Sequence, residues 1–163
     1  MLFVCLGNIC RSPTAVGVFR KLVAEAGLAH AIESDSAGIT DYHQGEPPDP
    51  RAVRAALARG IDLRDIRARP IVAADFTEFH YILAMDEIVL AELEHAAGEL
   101  SGEGLGQLGL FLEQAPELGL REVPDPYLSA PKRFEYVLDL VEQGARGLLA
   151  NLRDQGLLRR DGS

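Results

Sequence analysis

Apolar residues recur along this chain in two alternating spacings. The run Leu2, Phe3, Val4, Cys5 is short and uninterrupted, as in a strand buried on both faces. Val16, Phe19, Leu22, Val23 and Ala26 then recur at helical spacing, which predicts a helix over 12–26 that stops at Gly27. A second strand is predicted over 31–36, followed by a Pro/Gly-rich loop through Pro48. Asp49 is placed to cap a helix with Pro50 in its first turn and Gly60 beyond its end. A third strand is predicted over 79–85, after which Asp86 caps a helix running to Gly98. A weaker strand over 108–112 leads into a stretch, 116–131, that is mostly loop. Phe134, Val137, Leu138, Val141, Ala145, Leu148 and Leu152 form the apolar stripe of a last helix, and its simplest use is core packing. The tail, 156–163, is expected to fray.

This alternation predicts one α/β domain over 1–155. It should be a three-layer sandwich whose mainly parallel, four-stranded sheet is flanked by helices. Ligands of such sheets bind at the carboxyl ends of the strands, and Cys5 sits at one such end. A chain of 163 residues suffices for one sizeable core, and it shows no internal repeat. No apolar run approaches the ~20 residues of a membrane span, so no membrane partner is expected. Met1 leads straight into the first strand, which predicts no signal peptide. Two cysteines in one loop do not make a disulfide framework, and a reducing cytoplasm is the expected compartment. A net charge of −9 argues against a nucleic-acid partner. It also repels phosphorylated substrates, but screening confines that to about 8 Å at physiological salt. The oligomeric state is not set by the sequence, and a monomer is compatible with it.

The chemistry concentrates between the first strand and the first helix, in Cys5-Leu6-Gly7-Asn8-Ile9-Cys10-Arg11-Ser12. Amides at a helix N-terminus lack partners and, with the helix dipole, form an anion site. Gly7 lets the chain curl so that several amides face inward. Arg11 offers a planar fork for two phosphate oxygens. Asn8 tolerates the left-handed conformation and can tie the loop to itself. Ser12 suits an N-cap and Pro13 the first helical position, while the Ser12 hydroxyl is also placed to donate to the sulfur of Cys5. Leu6 to Ser12 is thus expected to cradle a phosphate dianion with Cys5 facing the phosphorus. The attacking group must be a thiolate. A helix dipole lowers a thiol's pKa by only about one unit, so Arg11, the amides and Ser12 are expected to supply the rest. Taken alone, Cys5 would read as a buried residue ending a strand. The spacing of Gly7, Arg11, Ser12 and Pro13 displaces that reading and points to a cysteine-based phosphatase.

The string Val4 to Pro13 resembles the N-terminal phosphate-binding loop of the low-molecular-weight protein tyrosine phosphatases without departure. The resemblance spans about 1–152. Its further matches are 35–38 (DSAG), 45–51 (GEPPDPR), 81–86 (YILAMD) and 125–127 (DPY). It implies that Cys5 is the nucleophile and forms a cysteinyl-phosphate. It implies that Arg11 stabilises the transferring phosphoryl group, and that Asp125 protonates the leaving phenolate and then activates water. It implies that Ser36, with Asn8 and Ser12, braces the loop, and that Tyr42 and Tyr127 flank the pocket mouth as substrate-binding aromatics. A phosphotyrosine protein or a small aryl phosphate is the implied substrate, with no cofactor or metal. In-line displacement independently requires nucleophile and acid to be separate groups on opposite sides of the phosphorus. Residue physics alone does not select Asp125 among 25 acidic residues; its two flanking prolines suit a stiff acid-bearing loop and a plain turn equally. By the resemblance, Cys10 can pair reversibly with the nucleophile and guard it from oxidation; as a bare residue it is a small loop side chain.

Two departures concern substrate preference. The family often carries a histidine in the segment matching 63–71, where this chain reads LRDIRARPI. Leu128 stands where some members have a second tyrosine. Thioredoxin-coupled arsenate reductases share the loop but use a further cysteine pair, and this chain has only two cysteines in all. A non-catalytic phosphate-binding module is the other alternative; the presence of both Cys5 and Asp125 argues against it. Gly104 to Gly109 has G-x-G-x-x-G spacing but leads into a strand, not a helix, so it reads as a loop. His30, His43, His80 and His95 lack metal-ligand spacing. Asp86-Glu87 reads as a helix cap with a first-turn acid.

Overall fold

The structure, a computed structural model, describes residues 1–158. Four strands, β1 (Leu2–Cys5), β2 (Asp35–Gly38), β3 (Tyr81–Ala84) and β4 (Gln107–Leu110), form one sheet in the order β2-β1-β3-β4. Every pairing is parallel, with Cys5 opposite Gly38 and Leu2 opposite both Asp35 and Ile82. The helices are α1 (Arg11–Glu25), α2 (Pro50–Leu57), α3 (Asp75–Glu78), α4 (Glu87–Gly98) and α5 (Lys132–Asp154).

Alternate residues of each strand face opposite ways, which produces two buried clusters. Phe3, Cys5 and Leu83 meet Val16 and Phe19 of α1 and the stripe of α5. Leu2, Val4, Ile82 and Ala84 meet Phe76 of α3 and Val89 and Leu93 of α4. The sheet is therefore covered on both faces, which is why its strands are apolar runs. The predicted three-layer α/β arrangement is what forms. From β1 the chain moves to β2 on one side, and it later returns to β3 on the other. The carboxyl ends of β1 and β3 thus flank a topological switch point, where doubly wound sheets bind ligands.

Element bounds differ from the sequence pattern in physically readable ways. The second strand is 35–38, not 31–36, because Ala31 and Ile32 donate back to the Leu28 carbonyl in a turn. The pairing strand itself, Asp-Ser-Ala-Gly, is too small and polar to announce itself. The third strand is trimmed to four residues. The fourth ends at Leu110, since Phe111–Gln114 turns into a 3-10 helix. The expected loop after it contains a second 3-10 turn, Pro116–Leu118. The short helix α3 carried no periodic signal.

Asp49 caps α2 as expected, accepting from the Arg51 N–H at 2.8 Å. Gly60, at φ +76, closes that helix: it donates to Leu57, and Ile61 donates to Ala56. Gly156, at φ +68, repeats this geometry after α5, donating to Arg153 while Leu157 donates to Leu152. At 156–158 the chain thus closes the helix terminus, and Leu158 packs against the core. The remainder of the expected tail, 159–163, lies outside the described residues.

Candidate active site

The loop between β1 and α1 is shaped from outside. Its carbonyls are drawn away by neighbours: Cys5 accepts from Ile39, Leu6 from Thr40, Ile9 from Asp49 and Cys10 from Thr14, at 2.8–3.3 Å. Among the described residues the N–H groups of 6–10 have no such partner, which leaves them for an anion. Asn8 takes the left-handed turn, at φ 58. Gly7 does not; its role is spatial, since a Cβ there would stand 3.1 Å from Cδ2 of His43.

Asn8 also fixes the direction of a hydrogen-bond relay. Its Oδ1 accepts from the Arg69 N–H at 3.0 Å, so its amide nitrogen must be the group donating to Ser12 Oγ at 2.8 Å. The Ser12 hydroxyl proton is then free for the Cys5 sulfur, 3.0 Å away. That use of Ser12 displaces the expected cap. Helix α1 begins at Arg11, and its N-cap, Cys10, makes no side-chain cap bond. Pro13 is accordingly the third helical residue. The Arg69 side chain is locked by Asp75 at 2.9 Å and Asp35 at 3.1 Å. Ser36, expected to brace the loop, lies buried on β2 opposite Phe3, and its hydroxyl has no partner among the described residues. The Arg69 main chain does the bracing expected of it.

Arg11 is only 3% exposed. Its Nη1 donates to Asp86 Oδ2 at 2.6 Å and to the Val123 carbonyl at 3.1 Å, and Nη2 lies 3.7 Å from Asp125 Oδ2. Burial alone would lower its pKa. The negative charge of the Cys5 sulfur, the Asp86 hydrogen bond and the Asp125 charge outweigh burial and raise it, so the guanidinium stays charged. Asp86 was read as a helix cap, and it is one, accepting from Val89 at 2.8 Å. Its other oxygen orients Arg11, a role the sequence reading missed. The missed signal was position: Asp86 follows the carboxyl end of β3, across the switch point from Cys5.

Asp125 comes from the loop after the 3-10 turns. Val123 donates to Met85 at 2.8 Å and draws that loop across the end of β3. Cys5, Leu6, Gly7, Ile9, Cys10, Arg11, Thr40, Tyr42, His43, Asp125 and Tyr127 then line one cavity of about 220 Å³. Tyr42, 80% exposed, and Tyr127, 44% exposed, stand at its mouth. His43 bonds Glu46 at 2.7 Å, and its ring lies 6.3 Å from that of Tyr127. Sequence spacing tests His43 only as a metal ligand and carries no sign of its place in this cavity. Burial chiefly, with the charges of Asp49, Cys5 and Asp125, pushes the Cys10 thiol well above its ordinary pKa, so Cys10 stays protonated beside the Cys5 sulfur. Both cysteines are free thiols. Among the described residues no three His, Cys, Asp or Glu side chains are grouped to hold a metal ion.

The family profile of the low molecular weight phosphotyrosine protein phosphatases matches residues 1–158. The chain belongs to that family. It is 38% identical over 155 residues to the low molecular weight protein-tyrosine-phosphatase YfkJ of Bacillus subtilis, covering 95% of this chain and 96% of that one. It is 39% identical over 153 residues to the Streptomyces coelicolor low molecular weight protein-tyrosine-phosphatase, covering 94% and 93%. The crystal structure of a protein tyrosine phosphatase from Entamoeba histolytica with Hepes in its active site superposes with a TM-score of 0.87. It shares 35% identity and covers 96% of this chain and 97% of that one. The loop-shaping contacts of this chain come from Asn8, Ser12 and the Arg69 main chain. Its described residues include no helix long and apolar enough to cross a membrane.

Proposed function

We propose that this phosphatase hydrolyses phosphotyrosine in proteins through a cysteinyl-phosphate intermediate. The observation that carries the reading is one cavity lined by Cys5, Arg11 and Asp125, residues separated by up to 120 positions in the chain. The Cys5 sulfur attacks phosphorus, the ester P–O bond breaks, and Asp125 gives its proton to the departing phenolate oxygen. Arg11 and the loop amides hold the equatorial oxygens throughout. Asp125, now a carboxylate, takes a proton from water as the water oxygen attacks phosphorus. The S–P bond breaks and inorganic phosphate leaves with the thiolate restored. Tyr42 and Tyr127 at the mouth suit an aryl ring above this cradle. The residues present accomplish these steps with no cofactor.

A thiolate nucleophile suits the reducing cytoplasm, which is the compartment we assign. Residues 1–155 act as one domain, and a single chain carries every site residue, so a monomer is sufficient. Phosphate release should be fastest from phosphotyrosine peptides, slower from small aryl esters and negligible from phosphoserine, with chelator and reductant present throughout. Rapid acid quench and mass spectrometry should find phosphate on Cys5 during turnover, and Cys5→Ser should bind substrate without releasing phosphate. Turnover without any S–P adduct on Cys5 would overturn the reading.

A further inference from the structure

Asp125 sits in a stretch with no regular structure between Pro116–Leu118 and α5, yet a general acid must be held to a fraction of an ångström. On its upstream side the loop is fixed by Arg11, which takes the Val123 carbonyl. On its downstream side, apart from the bonds that Ala130 and Pro131 accept from the first turn of α5, the hydrogen bonds that leave the loop go to Arg51, among the described residues. Nη2 of Arg51 donates to the Tyr127 carbonyl at 2.8 Å, and Nη1 donates to the Ser129 carbonyl at 3.1 Å. The same guanidinium grips Asp49 with Nε and Nη2 at 3.1 and 2.9 Å. Its carbon lies 4.5 Å from the ring centroid of Phe134 and 5.8 Å from that of Tyr127. The Asp49 N–H in turn donates to the Ile9 carbonyl of the phosphate loop at 2.8 Å. A continuous strut therefore runs from the phosphate loop through Asp49 and Arg51 to both carbonyls just beyond Asp125. Arg51 does not line the cavity and cannot touch the reacting atoms.

We propose that Arg51 is a positioning residue for the general acid, setting the distance of the Asp125 carboxyl from the phosphate loop. The proposal rests on Asp125 being the acid. Only an arginine fork makes these four bonds at once; a lysine ammonium is a point donor. A displacement of about 1 Å at a reacting group can cost about 10²-fold.

The test compares kcat/KM for phosphotyrosine and for para-nitrophenyl phosphate, because kcat/KM reports only steps up to departure of the phenol. An electron-poor phenol leaves without protonation, so that ester depends little on the acid. Arg51→Met should lower kcat/KM for phosphotyrosine about 10²-fold and for the nitrophenyl ester only a few-fold, with the inhibition constant of inorganic phosphate unchanged. Arg51→Lys should show the same selectivity with a smaller loss. Asp125→Asn should show it too, and adding Arg51→Met to Asp125→Asn should lower the rate no further. Equal losses on both esters, weaker phosphate inhibition or additive losses in the double variant would mean that Arg51 only supports the fold, and the proposal falls. If Arg51→Met does not fold, Arg51→Lys decides by the same criteria. If Asp125→Asn itself shows no leaving-group selectivity, the acid assignment falls instead.

Discussion

The two halves of the active site are built by opposite means. The phosphate loop is local: Cys5, Asn8, Arg11 and Ser12 lie within eight residues, and the turn from β1 into α1 brings them together. The acid loop is remote: Asp125 follows β4 and two 3-10 turns, and reaches the cavity only because Val123, Tyr127 and Ser129 are tied to Met85, Arg11 and Arg51. A local site is fixed by residue types at set spacings. A remote one is fixed by long-range hydrogen bonds to main-chain carbonyls, which leave no sequence signature. The two halves should therefore fail differently: loss of a group that grips the phosphate oxygens in the first weakens binding and chemistry together, and damage to the second spares binding.

The largest effect should come from the residue that belongs to both halves. In the proposed mechanism Arg11 holds the phosphoryl oxygens, and in the structure it also holds the Val123 carbonyl. Arg11→Ala should reduce kcat/KM by about 10³–10⁵-fold, the range for a transition-state arginine in phosphoryl transfer. It should also weaken inhibition by inorganic phosphate. If phosphate inhibition survived intact, the loop amides alone would make the cradle.

A middle effect separates aiming Arg11 from capping α4, since Asp86 does both with different oxygens. Asp86→Asn keeps a capping oxygen but loses the charge that pins Arg11, while Asp86→Ala loses both. Kinetics should show the two variants falling alike, by about 10–10²-fold in kcat/KM. Thermal unfolding should separate them by only the cap, about 1 kcal/mol in favour of Asp86→Asn. If Asp86→Asn kept the parent's kcat/KM, the ion pair with Arg11 would have no catalytic consequence.

The sequence made the first half of the site legible almost completely. Cys5, Asn8, Arg11 and Ser12 meet on one turn, with Asn8 left-handed and the Ser12 hydroxyl beside the Cys5 sulfur, while the cap expected of Ser12 is not made. The hydrophobic pattern, by contrast, does not set the sheet order β2-β1-β3-β4, and it displaces β2 because Asp-Ser-Ala-Gly carries little apolar signal. Asp125 was singled out by family resemblance alone, since one carboxylate among many has no local mark of its role. Ser36 was expected to brace the loop, but the contact comes from the Arg69 N–H, and any residue except proline supplies an N–H. Asp86 and Arg51 were readable as local caps and helix residues, and their second partners lie 75 and at least 76 residues away.

The smallest effect tests the strut in equilibrium. The side-chain hydrogen bond from Arg51 holds the Asp49 carboxyl below its ordinary pKa, outweighing burial, with further help from the Arg51 N–H and charge. A carboxylate whose pKa is depressed on folding contributes stability that is fully present above its unfolded pKa. That stability is lost as pH falls through the folded value. Asp49→Asn keeps the cap, because asparagine is an equivalent N-cap residue, and removes the titration. At neutral pH the variant should be less stable by on the order of 1 kcal/mol or less, the worth of a partly exposed ion pair. The deficit should persist down to about pH 4 and shrink below it, since the parent then loses the same interaction by protonation. Denaturant unfolding of both proteins at a series of pH values measures this. A deficit that stayed constant into acid would not come from the carboxylate charge, and the Asp49–Arg51 ion pair would then add nothing to stability. The anchoring of Asp125 would then rest on the Arg51 bonds to Tyr127 and Ser129 without support from the phosphate-loop side.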